Sequence, residues 1–324
     1  PDPPQRRLRI SGSSPHPQPN KDATLNDRPV RICDYEGSGY QTDFWEGKGR
    51  DYEDLTERIA LRRLLPPVGR RIAHLGAGFG RMTTELGGYD QVIVLDYSRT
   101  MLQQARQRLG NGGRYVYVAA DIYRLPLAPG SCDAAVMERV IHHMADVPAA
   151  LRQIRSALAP GSPFVLEYAN KRNLKAILRY WLKRQSWDPF DEAPVEFVEL
   201  NFDFHPRYID GCLRTAGFET RQRLAVSYFR IGLLKRAVPV PVLVALDRLL
   251  QPTGRIAPFS PSVFTLNIAA GDSPPGALDG PLFRCPACGG ALTDEGDALV
   301  CERGDGRWVL RDGIYDFKEP VANA

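Results

Sequence analysis

Five short runs of apolar and β-branched residues recur along the chain: RIAHL (71–75), QVIVLD (91–96), RYVYVAAD (114–121), CDAAVM (132–137) and PFVLEYA (163–169). Helical stretches such as MLQQARQRL and DVPAALRQIRSALA lie between them. Strands that are apolar on both sides need cover on both faces, and strands joined through helices run parallel. The pattern therefore predicts an α/β fold with a doubly wound, mostly parallel sheet. Two later runs, FETRQRLAVSYF (218–229) and SVFTLNIAA (262–270), predict a hairpin at one edge, for seven strands in all. Before the first strand, DYEDLTERIALRRLL (51–65) places Tyr52, Leu55, Ile59 and Leu64 near helical spacing, and Pro66-Pro67 ends that helix. The apolar, proline-broken stretch at 231–254 reads as a packing helix in preference to a membrane-surface element.

Composition bounds the rest. With 324 residues, 43% of them hydrophobic and 25% charged, the chain has material for one large domain and a small one, which excludes a fibrous or wholly disordered protein. Forty-two Lys and Arg against 38 Asp and Glu leave a net charge of +4, which allows an RNA partner without implying one. No apolar run approaches the roughly 18 residues of a transmembrane segment, and the amino end has no secretion core, so a cytoplasmic location is expected. The expected organisation is a disordered tail at 1–30, a helical lid segment at 31–70, the main domain at 71–270, a linker at 271–281 and a small domain at 282–320. Nothing in the pattern fixes an oligomeric state.

Directly after the first strand comes His74-Leu75-Gly76-Ala77-Gly78-Phe79-Gly80-Arg81. Alternating glycines permit a tight strand-to-helix turn and let a ligand approach the backbone. A nicotinamide fingerprint would place its third glycine where Arg81 stands, so the loop points away from dinucleotides. Asp96 ends the second strand, 20 residues beyond Gly76, where a carboxylate can accept from two ribose hydroxyls. Asp121 ends the third as Ala120-Asp121-Ile122, placed to accept from an adenine amino group beside the apolar Ile122 and Tyr123. Each Asp singly also reads as a cap or turn residue; the series with the glycine loop favours a ligand at the carboxyl edge of the sheet.

At these residues, and through LDYS (95–98), AADIYRLPL (119–127) and the run from Cys132 to Glu167, the chain resembles class I S-adenosylmethionine-dependent methyltransferases of the type 11 group over about residues 50–170. The resemblance implies a seven-stranded Rossmann-like sheet with S-adenosylmethionine as cofactor. It implies that Gly76, Gly78, Gly80, Asp96, Tyr97, Asp121 and Ile122 hold the cofactor, with Glu138 near its methionine end. His74 departs from the acid usual at that place. Of Tyr40, Phe44, Trp45 and Tyr52, Tyr52 is favoured as a lid over the cofactor. His142, His143 and Glu167 are the candidate catalytic residues; each imidazole also reads as a packed or hydrogen-bonded ring. Tyr168, Asn170 and the patch from Asn201 to His205 are further candidates for the acceptor side. No N-P-P-Y-like tetrapeptide follows strand four, which argues against base-amino methylation. The expected activity is methyl transfer to an oxygen, nitrogen or carbon of a small or lipid-like metabolite. A tRNA- or RNA-modifying enzyme and a non-catalytic binding module stay open beside it.

In the carboxyl tail, Cys285 and Cys288 form a C-x2-C knuckle and Cys301 follows, but Gly304 occupies the fourth ribbon position. Four thiolates would complete a zinc tetrahedron; here a fourth ligand must come from Asp305, Glu302, water or a cysteine of the main domain. Zinc is thus possible at an incomplete site. The stretch from Trp308 to Phe317 resembles the small zinc-ribbon partner that activates RNA- and protein-modifying methyltransferases, and is expected to dock on the main domain.

Overall fold

A computed structural model describes residues 31–39, 41–45, 47–271, 277–304 and 306–321; the segment read as a tail, Tyr40, the middle of the linker and Asp305 lie outside them. Each apolar run becomes a strand: β1 (Gly69–Leu75), β2 (Tyr89–Asp96), β3 (Tyr115–Ala119), β4 (Ala134–Met137) and β5 (Pro163–Ala169). β1 pairs in parallel with both β2 and β4, β2 with β3, and β4 with β5. Helices α1 (Asp51–Leu64), α2 (Arg99–Leu109) and α3 (Val147–Ala157) accompany them. Ser98 caps α2 by accepting from the Met101 amide, and Asp146 caps α3 by accepting from Ala149.

Between β5 and the closing hairpin the chain makes a long excursion. It forms α4 (Leu174–Trp181), a small hairpin of β6 (Val195–Val198) and β7 (Asn201–Asp203), and α5 (Pro206–Thr215). β8 (Phe218–Val226) follows, then α6 (Gly232–Ala237) and α7 (Val240–Leu250), before β9 (Ser262–Ala269). β9 lies antiparallel between β5 and β8, forming the edge hairpin expected from the sequence. The proline-broken stretch is two helices; of α7's side chains only Leu243 and Asp247 are buried.

The sheet does not stop at seven strands. β10 (Leu292–Asp294), β11 (Ala298–Cys301), β12 (Arg307–Arg311) and β13 (Ile314–Asp316) form an antiparallel ribbon, and β13 adds in parallel to β3, giving eleven strands in the order β10-β11-β12-β13-β3-β2-β1-β4-β5-β9-β8. The physical reason is the open edge of β3, whose unpaired amides and carbonyls need a partner. The Phe317 amide donates to the Ala119 carbonyl (2.8 Å), and Arg284 and Ala128 tie the ribbon's entry to Pro126 and Leu282. Cys285, Leu299, Cys301, Trp308 and Phe317 belong to the same buried cluster as Val118, Leu127 and Ile154, so the ribbon has no core of its own.

Because Ile314 is fully buried at this junction, Ile314→Ala should lower unfolding free energy by about 2–4 kcal/mol. Urea unfolding followed by tryptophan fluorescence and by far-UV circular dichroism should give one shared midpoint; two separate transitions would mean that the ribbon folds alone.

Candidate cofactor and acceptor site

The glycine loop turns because Gly76, Gly78 and Gly80 all take positive φ, at 70°, 54° and 77°. A Cβ on Gly76 would meet Val140 at 2.2 Å, whereas one on Gly78 would meet nothing within 4 Å. Gly78 thus faces open space, so a ligand can approach that part of the loop without meeting a side chain. Asp96 fixes the loop: its two carboxylate oxygens accept from the Gly78 amide (2.8 Å) and the Ser98 amide (2.9 Å). Burial raises its pKa, opposed by those two backbone donors. Asp121 accepts from the Tyr123 amide (2.8 Å) at the head of a 3-10 turn. Gly76, Gly78, Asp96, Tyr97, Asp121, Ile122 and Glu138 all line one cavity of about 920 Å³, open solvent included.

Three residues of the sequence reading stand elsewhere. His74 is fully buried behind the loop, its Nε2 on Glu138 (2.7 Å) and its Nδ1 on the Thr83 hydroxyl (2.8 Å), so it holds the Glu138 carboxylate in place and does not line the cavity. Gly80 packs on Ala105 and Leu109 of α2. Tyr52 is buried between α1 and α7, donating to Asp247 (2.6 Å); it forms no part of the cavity lining.

Of the wall over the cavity, the sequence offered only Trp45, one of the four aromatics considered as a lid. Trp45 lies 3.9 Å from the Arg81 guanidinium and 5.0 Å from that of Arg139, and all three line the cavity. Behind them Glu57, fully buried on α1, accepts from Arg81 (2.8 Å) and from Arg139. Burial alone would raise the Glu57 pKa, but Arg139 and Arg81 overcome it and hold it low. Arg139 sits at φ 57°, a left-handed conformation strained for any residue with a Cβ, with its amide donating to Glu167 (2.8 Å). The available sequence signals were an acid on the inner stripe of α1 and an arginine directly after Gly80 and after Glu138. The Glu36 carboxylate accepts from the Arg99 and Thr100 amides, which anchors the segment carrying Cys33 and Tyr35 against α2.

Of the candidate catalytic residues only His143 lines the cavity. Its Nδ1 donates to the Leu200 carbonyl (2.8 Å), which leaves Nε2 to accept from the Tyr35 hydroxyl (3.1 Å). His142 packs against it at a tilt, with ring centroids 4.1 Å apart, and its buried Nδ1 has no hydrogen-bond partner among the described residues. Both imidazoles are held below their ordinary pKa, His142 well below, chiefly by burial. Glu167 is one layer back, accepting from Ser262 (2.6 Å) and from the Arg139 amide. Tyr168 is buried, Asn170 donates to the Pro258 and Ser260 carbonyls, and His205 caps α5.

In the ribbon, the sulfurs of Cys285, Cys288 and Cys301 all lie within 4.8 Å of one another, and the Gly290 amide donates to Cys288 Sγ (3.4 Å). Three convergent thiols fit three corners of a zinc tetrahedron. Among the described residues no fourth side chain joins them.

Residues 73–166 match the family model described as a methyltransferase domain. An O-methyltransferase of Penicillium expansum (cnsE) is 30% identical over 163 residues, 47% of this chain and 59% of that protein. A demethylmenaquinone methyltransferase of Corynebacterium kroppenstedtii is 31% identical over 143 residues, 43% of this chain and 60% of that protein. The chain thus spans less than two thirds of the length of these curated relatives. Among solved structures, the complex between the Haloferax volcanii Trm112 methyltransferase activator and a methyltransferase superposes with a TM-score of 0.51 at 18% identity, covering 75% of this chain and 100% of that one. That likeness is one of fold.

The buried imidazoles give a pH prediction with a definite sign. An unfolded chain protonates His142 near pH 6.5 while the folded chain resists, so His142 costs stability increasingly as pH falls below that value. Asp203, raised to about 6 by burial, works in the opposite direction. The informative quantity is therefore a difference: between pH 7 and pH 5, His142→Gln should gain on the wild type by about 1 kcal/mol or more in urea unfolding. An unchanging difference would mean that His142 titrates normally.

Proposed function

From the match of residues 73–166 to the methyltransferase-domain family, we propose that this chain is an S-adenosylmethionine-dependent enzyme that methylates an oxygen, nitrogen or carbon nucleophile of a small or lipid-like metabolite. The observation that carries the reading is the open space at Gly78 with Asp96 and Asp121 beside it on one cavity. Asp96 and the Gly78 backbone would hold the cofactor's ribose, Asp121 and Ile122 its adenine, and Glu138, steadied by His74, its methionine amino group. The cofactor, when bound, supplies an electrophilic methyl group for in-line displacement.

The protein's own part is positioning and proton removal. His143 Nε2 is the basic atom on the cavity wall, because Leu200 fixes the proton on Nδ1. An O–H or N–H acceptor passes its proton to the Tyr35 oxygen as Tyr35 passes its own to His143 Nε2. Arg139 and Arg81, paired with Glu57 and, for Arg81, also with Asp54, and covered by Trp45, would screen the methionine end from water. The small-molecule acceptor is supported by the O-methyltransferase and demethylmenaquinone methyltransferase relatives. The ribbon supports a zinc ion on Cys285, Cys288 and Cys301, with a fourth ligand from water or a residue outside the described set.

Calorimetric titration should show S-adenosylmethionine and its demethylated product binding and NAD failing to bind. Asp96→Ala should weaken both adenosyl compounds by about 10–100-fold, since it removes charged hydrogen bonds and frees the Gly78 loop; unchanged affinity would sink the assignment. With an acceptor from a labelled-methyl screen, His143→Gln should lower kcat by about 100-fold while cofactor affinity changes by less than about threefold. A parallel loss of affinity would make His143 a packing residue. Metal analysis should find one zinc per chain, lost in Cys285→Ser; zinc-free protein whose unfolding midpoint ignores added zinc would exclude the metal.

A further inference from the structure

Exposed apolar side chains are not spread over this molecule. Of the 18 large hydrophobic residues exposed among the described ones, all but Leu55, Val68 and Val321 fall between Leu174 and Phe259, in the excursion from β5 to β9. On α4, Leu174, Leu178, Trp181 and Leu182 recur at helical spacing on the outer side, Trp181 at 66% exposure, while Ala176 and Ile177 face inward. Val242, Leu246 and Leu249 (75% exposed) do the same on α7, and Ile256 just beyond it is 92% exposed. A helix apolar on both faces has a second surface to cover.

Charge is segregated onto the same elements. In residues 171–187 and 228–259, eleven Lys and Arg stand against one acid, Asp247, which is fully buried. Lys175, Arg179, Lys183, Arg184, Arg236, Arg248 and Arg255 are exposed. The exposed acids Asp191, Glu192, Glu196 and Glu199 belong to the loop and hairpin between these segments. The two basic, apolar elements are joined where the Leu174 amide donates to the Phe259 carbonyl (2.8 Å) and Asn170 holds the Pro258 and Ser260 carbonyls. That junction follows directly on β5, the strand carrying Glu167, at the carboxyl edge where the acceptor would enter.

We propose that the outer faces of α4 and of the α6–α7 segment dock this protein on an anionic lipid surface, Trp181 and the leucines entering the interface between Lys and Arg that meet the headgroups. Leucine and tryptophan projecting from helices with interspersed cations and no exposed acid is the chemistry of an interfacial helix. No helix among the described residues is long and apolar enough to cross a membrane, so the contact is peripheral. The proposal rests on and deepens the lipid-like acceptor of the preceding reading, since α4 begins just beyond the carboxyl end of β5, the edge of the sheet where the cavity lies.

The test is co-sedimentation of the full chain with vesicles of phosphatidylglycerol and phosphatidylcholine, compared with pure phosphatidylcholine vesicles. Binding should require the anionic lipid, weaken severalfold between about 0.1 M and about 0.5 M NaCl, and fall by about tenfold in Leu178→Glu/Trp181→Glu. Both sites are exposed, and an unchanged unfolding midpoint checks that the variant folds. No binding, equal binding to neutral vesicles, or full binding by the variant would overturn the proposal. So would a micromolar dimer abolished by the same substitutions, which would give the face to a second copy. Calorimetry with S-adenosylmethionine is run on the same samples: vesicle binding without cofactor binding would fail the enzymatic reading and leave the docking surface standing.

Discussion

The parallel pairing of β1 with β2 on one side and β4 on the other is the constraint from which the site follows. A parallel ladder puts like ends together, so the residues that close β1, β2, β3 and β4 gather along one edge without any contact between them in sequence. There the glycine loop, Asp96, Asp121 and the Glu138-Arg139 turn meet around one cavity. Asp96 then couples two of those turns through the Gly78 and Ser98 amides. The same geometry leaves β3 as an unpaired edge, and the carboxyl-terminal ribbon exists in this fold as the strand that closes it.

Charge buried beside the cavity is the second determinant. Glu57 would be costly to bury alone, and so would Arg81 and Arg139; together, under Trp45, they form a wall of paired charges beside the cavity. His74 and Glu138 repeat the arrangement on a smaller scale. An acid at the place of His74 would face Glu138 as a like charge, whereas the imidazole joins Glu138 to Thr83. The residue that departs from the usual acid at this place is thus the support of Glu138.

The strands, the edge hairpin, the glycine turn and the two acids were legible because each rests on a local rule: period, strand length, backbone permissiveness, or an acid at a strand end. Of the roof, only Trp45 was. Trp45, Arg81, Arg139 and Glu57 are spread over almost 100 residues, and no pattern in any one segment marks them as neighbours. Tyr52 shows the converse error. Its position in the helix before β1 suggested a lid, but its hydroxyl is committed to Asp247, nearly 200 residues away. The near-neutral net charge likewise concealed how completely the cations of α4 and α7 are separated from the acids.

By itself the sequence determined the α/β class, the order of strands along the chain and the residue types at the carboxyl edge, because burial on two faces and turn geometry act over a few neighbours at a time. Tertiary structure alone decided which of those residues reach the cavity and which stand behind it. It paired His143 with Tyr35, placed Glu167 under Arg139, and drew three cysteines and a four-stranded ribbon into the main core. Those are contacts between distant segments, fixed by which buried charge or open strand edge finds a partner once the chain has closed.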